Sequence, residues 1–481
     1  MASTARAADA QRQAPAHGWW PLVVIASAHL MAVLDTTVMF VALPSVQHAL
    51  GLSVTARQWV VTAYTLAFAA LLLVAGRLAD RLGARRTLLI GVAGFGLASA
   101  LGGASVTGAM LLAARAVQGA AAALLVSSTK SLLVTVYTGD EERTRAIGVF
   151  SSTIASGAAA GLIVGGVLTT GLGWRWCLYV NVAVSLIAII AGPRVLSAQP
   201  ARREVRIDLP SALLASAGMA ALVYGLGEAA SAGWGSGQVV SCLAAAAAAL
   251  AGFAGRQASH PNRLLPMRVV WERSRGGALI ALIVNSLSTF GMLLILSYQL
   301  QSVMGYSALR TGLALVPFAI GAALAAAVLA PRLEQRIAPR WLIAAGLVLS
   351  AAGLLSLVGL TPTSGYLPLI LTATIIEGIG TGLGGPPMLQ TSLRGVLPSD
   401  TGAASAAGSA ANQLGSSIGA ALLNTVAATA TAAYLATHAG ASVAATVHGY
   451  TTAMAWGAGI LLVAAIPAVA LINAKAHPPK R

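Results

Sequence analysis

The sequence predicts an all-α integral membrane protein of fourteen transmembrane helices: two six-helix bundles in parallel repeat, with two further helices inserted between them. Three observations predict it. The 481-residue chain is 57% hydrophobic and only 9% charged, whereas a soluble globular chain is about a quarter charged. Its apolar residues gather into stretches long enough to cross a bilayer, which takes about 20 residues in a helix. The charges lie in the short segments between those stretches, with one sign strongly biased to alternate segments.

The stretches fall near 21–43, 58–75, 87–106, 109–135, 146–170, 175–193, 209–229, 238–255, 277–300, 311–330, 341–360, 366–390, 402–430 and 449–472. The first is too long for the apolar core of a signal peptide, and no small-residue cleavage site follows it, so it is expected to stay as a true span. Residues 1–20 read as a cytoplasmic tail. With the N-terminus placed inside, 24 of the 29 Lys and Arg residues fall on inside segments. Arg57, Arg175 and Arg310 fall outside, and Arg115 and Lys130 within spans. This is the positive-inside bias. It places both termini in the cytoplasm, favours an even helix count, and accounts for the net charge of +16 without a nucleic-acid partner.

An internal repeat is visible at an offset of 254 residues. Asp80 and Arg86 match Glu334 and Arg340, and Gly148, Gly161 and Gly165 match Gly402, Gly415 and Gly419. Helices 1, 4 and 5 shifted by this offset land on helices 9, 12 and 13. The expected division is therefore a first bundle over 21–193, a linker with inserted helices 7 and 8 over 194–276, a second bundle over 277–472 and a tail over 473–481. Cys177 and Cys242 have no metal-ligand spacing. Both are expected near the outer face, as a disulfide or as two separate thiols.

The stretch GRLADRLGARR, residues 76–86, carries five charges between helices 2 and 3. Its order, Gly76, Arg77, Asp80, Arg81, Gly83, Arg85, Arg86, resembles the loop signature of the major facilitator superfamily. The stretches LDTTVMFVALP (34–44), QWVVTAYTLA (58–67), RAVQGAAAALL (115–125), WRWCLYVN (174–181), YQLQSVMGYSALRTGLALVP (298–317) and NQLGSSIGAAL (412–422) resemble, in order, its fourteen-helix drug:proton antiporter branch. The resemblance implies that Asp80 helps to close the inner gate. Glycines 148, 157, 161, 165 and 166 of helix 5 resemble the antiporter motif that marks exporters. Their spacing of three and four residues also makes a close-packing face in its own right. Leu162 stands where that motif has a proline.

Five charges fall inside spans: Asp35, Arg115, Lys130, Glu228 and Glu377. Intramembrane charges are functional candidates by default. At ~1.5 Å of rise per residue, Asp35 and Arg115 come to the same depth on helices 1 and 4, so an interaction is expected. Burial raises a carboxyl's pKa and an arginine lowers it, so such a site is a candidate for proton coupling. The resemblance attaches proton transfer to the motif holding Arg115 and Gln118. Glu377, with Asn285 and Asp35, is the candidate substrate-cavity set. Glu228 and Lys130 lie near helix ends and read as anchors.

Other classes are excluded. The lysines at 130, 475 and 480 lie outside any phosphate-binding loop, which removes an ATP-driven pump. His29, His48, His438 and His448 lack metal spacing, so no metal, cofactor or enzyme activity is expected. A scaffold without transport has no use for intramembrane acids. The expected function is H+-driven efflux of small lipophilic or cationic compounds by a monomer in lipid, the alternative being a proton-coupled importer. Alanine- and arginine-rich composition with few lysines points to a GC-rich bacterium, and hence to its inner membrane.

Overall fold

The computed structural model describes residues 19–137, 140–197, 208–259, 270–396, 401–438 and 440–473. Helices and turns make up these residues, with no strand among them. In chain order they are α1 (Trp19–Leu50), α2 (Val54–Leu82), α3 (Ala84–Gly103), α4 (Gly108–Val136), α5 (Asp140–Gly171), α6 (Trp176–Val195), α7 (Leu209–Ala232), α8 (Gly237–Ser259), α9 (Arg273–Tyr298), α10 (Ala308–Leu324), α11 (Pro339–Ser356), α12 (Leu371–Leu393), α13 (Thr401–Thr437) and α14 (Ser442–Leu471). π-Helical turns extend α9 through Gln299–Val303 and α10 through Ala325–Leu329, the latter leading into Ala330–Glu334.

Among the described residues, twelve helices are long and apolar enough to cross a membrane. The expected fourteen is not reached on that measure. The two others, α2 and α5, carry charges at their terminal-side ends, Arg77, Asp80 and Arg81 on α2 and Asp-Glu-Glu-Arg on α5, and the part of α5 over Ala160–Gly171 counts as a shorter apolar helix. Several helices also run past their apolar stretch. The thirteenth was expected to end near 430 and continues to Thr437, because helical hydrogen bonding does not stop where hydrocarbon does.

Local chemistry fixes the helix starts. Ser53, Thr107 and Ser307 accept, through their hydroxyl oxygens, the amides of Ala56, Met110 and Arg310 at 3.1, 3.3 and 3.2 Å, satisfying donors that a helix N-terminus leaves open. These three caps lie at one end of the bundle, here the far end. The opposite, terminal end gathers the first and last described residues. There the Arg85 guanidinium donates to Pro193 O at 2.9 Å and the Asn473 amide to Ser274 Oγ at 3.1 Å.

Charged stretch 76–86 is less of a loop than its composition suggested. It is the last turn of α2 and the start of α3, broken at Gly83, whose φ of 88° suits a residue without a side chain. At Gly76 an added Cβ would meet nothing within 4 Å, so no close approach requires that glycine. Arg81 and Arg86 are exposed and Arg85 is half-buried. The surroundings of the Asp80, Lys130 and Gly148 positions lie outside the described residues.

In the first half α1 packs on α5 and α6, and α4 on α2 and α3. In the second, α9 packs on α13 and α14, and α12 on α10 and α11. The halves meet where α2 lies on α13 and α5 on α10; α7 and α8 form a hairpin whose α7 rests on both α2 and α13. One buried apolar cluster fills the terminal-side part of the first half. A larger one fills the second half and takes in far-end residues of the first, such as Phe40, Val60 and Leu178, and a small third one gathers Ala330, Leu342 and Leu383. Cys177 and Cys242 are both free, so the disulfide alternative does not hold.

Candidate transport site

Two intramembrane charges of the first half, Asp35 and Arg115, come together. Arg115 Nη1 of α4 lies 2.5 Å from Asp35 Oδ2 of α1. Asp35 Oδ1 accepts from Gln118 Nε2 at 2.8 Å and from Asn181 Nδ2 of α6 at 2.9 Å. Arg115 also donates to Gln118 Oε1 at 2.7 Å and, through Nε, to Val60 O of α2 at 3.0 Å. Gln118 Nε2 lies 2.8 Å from Ser99 Oγ of α3. The guanidinium carbon sits 4.4 Å from the centroid of the Tyr64 ring, a cation–π arrangement. Asp35 and Arg115 are 2% and 1% exposed.

Five helices of the first half thus converge on one buried ion pair. Arginine suits this position because its planar fork can serve a carboxylate, an amide oxygen and a backbone carbonyl at once. Taking both charges from water costs several kcal/mol per ion, repaid only when geometry is good and remaining polar atoms are satisfied. Both Asp35 oxygens are satisfied; Arg115 Nη2 has no hydrogen-bond partner among the described residues.

Glu377 of α12 stands in a second cluster, in the other half. Its Oε1 accepts from Thr289 Oγ1 of α9 at 2.6 Å and from Thr381 Oγ1, one turn along α12, at 3.2 Å. Thr381 Oγ1 is also 3.4 Å from Asn285 Oδ1. Glu377 is fully buried, and its Oε2 has no hydrogen-bond partner among the described residues. Gly353 of α11 makes the room: a Cβ there would stand 2.9 Å from Glu377 Cβ. Glu377 forms no ion pair among the described residues. Asn285 is therefore grouped with Glu377 as expected, whereas Asp35 belongs to the separate first-half cluster and touches neither.

The α5 glycines do what close-packing spacing suggests. Added Cβ atoms at Gly157, Gly161 and Gly165 would meet Leu30, Thr37 and Val38 of α1 at 2.1, 1.9 and 2.9 Å. Gly166 faces the other half, where its Cβ would meet Leu309 Cα at 2.7 Å. Across the same seam a Cβ on Gly312 would meet Leu162 O at 2.2 Å. The residue at the missing proline position thus presents its backbone to the partner half. The repeat returns in space: Cβ atoms on Gly415 and Gly419 would each stand 2.2 Å from α9 carbonyls, of Ile283 and Leu287.

Hydrogen bonds join the halves at the far end. Asn424 of α13 donates to Gln58 Oε1 at 2.7 Å and accepts from Arg57 at 3.4 Å, and Arg57 lies over the Tyr298 ring at 3.8 Å. Ser297 Oγ donates to Phe40 O at 2.6 Å and Gln301 to Val41 O at 3.0 Å. Sequence reasoning missed Asn181, Ser99, Thr289, Thr381 and Asn424. Intramembrane Asn was an available signal for Asn181, and Thr289 stands at Asp35 displaced by the repeat offset. Glu228 lies near the far end of α7, as expected for an anchor.

The model of the family described as Major Facilitator Superfamily matches residues 25–420. The puromycin resistance protein of Streptomyces alboniger is 45% identical over 95% of this chain and 92% of its own length. The cephamycin export protein of Amycolatopsis lactamdurans is 40% identical over 87% of each chain. Among solved structures, a bacterial homologue of the human lysosomal transporter Spinster, in an inward-facing and unoccupied conformation, superposes with a TM-score of 0.66 at 17% identity, covering 96% of this chain and 98% of that one.

Proposed function

The chain belongs to the major facilitator superfamily, and from that premise we propose that it is a proton-driven exporter of small lipophilic or cationic compounds of the antibiotic kind. The relatives named for resistance and export support the direction. The observation that carries the coupling is the buried Asp35–Arg115 pair, held by Gln118 and Asn181. A proton delivered to Asp35 removes one charge of the pair and frees the guanidinium. The helices that converge there, α1, α2, α3, α4 and α6, then lose their common tie. Coupling requires this change of state to alternate with cargo loading.

Glu377 is the proposed charge-recognition group. Its carboxylate would carry a charge with no cation beside it, and a cationic cargo group would supply the compensation. The proposed working arrangement is two six-helix bundles, α1–α6 and α9–α14, with α7 and α8 inserted. In it α2 and α5 also cross the bilayer, which makes fourteen spans, and both termini are cytoplasmic. The hydrogen-bonded far end is then the outer seal, and the stretch 76–86 lies on the inner side, with Asp80 as the gate residue. The transporter works as a monomer on the gradient alone.

Everted membrane vesicles test this. Acidifying the lumen is expected to drive uptake of a lipophilic cation such as ethidium, and addition of the cargo to release protons. Asp35→Asn and Arg115→Gln are expected to abolish both. Uptake driven instead by an alkaline lumen, or proton-linked uptake unaltered in both variants, overturns the reading.

A further inference from the structure

Outside the transport site, the outer wall of the second half carries a groove of about 680 Å3 between α9 and α14. Ile280 and Val284 form one side and Trp456, Gly459, Val463 and Pro467 the other. Its size falls in the ~300–1,000 Å3 range of small-ligand sites, yet its lining is apolar. Ile280, Trp456 and Val463 are 44%, 60% and 67% exposed on the surface of this membrane protein. The groove exists because small residues sit where a long side chain would fill it: a Cβ on Gly459 would meet nothing within 4 Å.

A cation stands beyond the terminal-side end of the groove, outside its lining. Arg273 stands seven residues before Ile280 on the same helix, two turns along the same face, about 10 Å toward the terminal end. It is exposed and forms no ion pair among the described residues. The neighbouring acid is already engaged: Glu272 accepts from the Ser274 and Arg275 amides at 3.1 and 2.9 Å and lies 3.7 Å from Arg275 Nε. Trp271, 74% exposed, is the kind of side chain that settles at the membrane–water boundary. It therefore sets Arg273 at headgroup depth and Ile280 just inside the hydrocarbon.

From this placement we propose that the α9–α14 groove is a binding site for an anionic phospholipid, with one acyl chain along Gly459 and the phosphate at Arg273. The groove recognises the chain by shape, and the single cation selects the charge.

Native mass spectrometry of the purified full chain, exchanged between phosphatidylglycerol and phosphatidylcholine of identical chains, tests the site. The wild-type protein is expected to retain phosphatidylglycerol about fivefold over phosphatidylcholine, as one basic residue near a membrane surface contributes about 1 kcal/mol. Arg273→Gln is expected to bring the two lipids level. Gly459→Leu, whose Cβ would meet nothing within 4 Å, is expected to fill the groove and remove retention of both, and Ala455→Leu serves as a second plug if that variant is poorly folded. Equal retention of the two lipids by the wild type, selectivity unchanged in Arg273→Gln, or retention unchanged in a folded plug variant overturns the proposal. None of these readouts depends on transport.

Discussion

Each half buries one acid between its first and fourth helices, and the two are treated in opposite ways. In the first half the acid is on the first helix, Asp35, and the fourth helix answers with Arg115. In the second half the position related to Asp35 by the repeat is Thr289, and the acid is on the fourth helix of that half, Glu377. The bond between first and fourth helix persists while the charge changes sides and the cation disappears. One half holds a compensated pair bound at every carboxylate oxygen; the other holds a carboxyl with two hydroxyl neighbours and one oxygen open. Duplicated geometry therefore does not entail duplicated electrostatics. The asymmetry suits the proposed machine, in which one half is tied by a pair that a proton releases and the other half offers an open carboxyl oxygen to a cargo.

The comparison breaks most sharply at the pair. Arg115→Met leaves Asp35 buried without its cation and is expected to cost about 3–5 kcal/mol, read as a large fall in thermal midpoint in a lipid nanodisc. Adding Asp35→Asn to Arg115→Met is expected to return much of that stability and none of the transport. If the double variant is no more stable than the single one, the pair does not behave as a compensated unit.

The interhelical seam comes next. Gly161→Ala forces a methyl onto Thr37 of α1, where its Cβ would stand 1.9 Å from Thr37 Oγ1, and overpacking of this kind costs about 1–3 kcal/mol. Gly76→Ala, with nothing within 4 Å, is expected to leave both stability and transport near wild type. Similar losses in the two variants would remove the distinction between packing and non-packing glycines.

Glu377→Gln keeps an acceptor oxygen for the Thr289 and Thr381 hydroxyls and is expected to cost about 1 kcal/mol or less, while selectively impairing efflux of cationic over neutral cargo in vesicles. Equal loss for both cargo types would move Glu377 from recognition to coupling. Removing Arg115 and removing the Glu377 charge thus separate the two acids by stability and by substrate profile.

The smallest effect is outside the membrane. Burial pushes the Glu272 carboxyl up, but the Ser274 and Arg275 amides and the Arg275 charge outweigh it and hold the carboxyl below its ordinary value. A lowered folded-state value means that the cap stabilises α9 above the unfolded-state pKa and is lost as the pH falls through the folded one. Amide exchange at residues 274–276 is expected to quicken on acidification in the wild type, after correction for intrinsic rates, and to show no such step in Glu272→Gln.

Much of this was legible in the chain. Apolar length marks spans because a bilayer has one thickness and every backbone polar group within it must be paired. Equal depth predicted the Asp35–Arg115 meeting because helix rise is fixed. The offset of 254 foretold that Gly415 and Gly419 pack as Gly161 and Gly165 do. Legibility stopped where identity depends on facing. Nothing in one dimension says that Asn181 and Ser99 join Asp35 and Gln118, or that Gly76 is loose while Gly83 turns the chain. Grouping Asp35 with Glu377 rested on shared chemistry, and helix rotation assigned them to different clusters.

By itself, the sequence determined that this chain lives in lipid as helices, that it repeats, and which few polar residues remain within the hydrocarbon. These follow from solvation and periodicity, which act locally along the chain. Tertiary structure alone decided which acid received a cation, which glycine carries a neighbouring helix, and that a vacant Gly459 and an exposed Arg273 lie along one face of the wall. Those outcomes depend on how each helix is rotated against its neighbours, a choice made by packing many side chains at once.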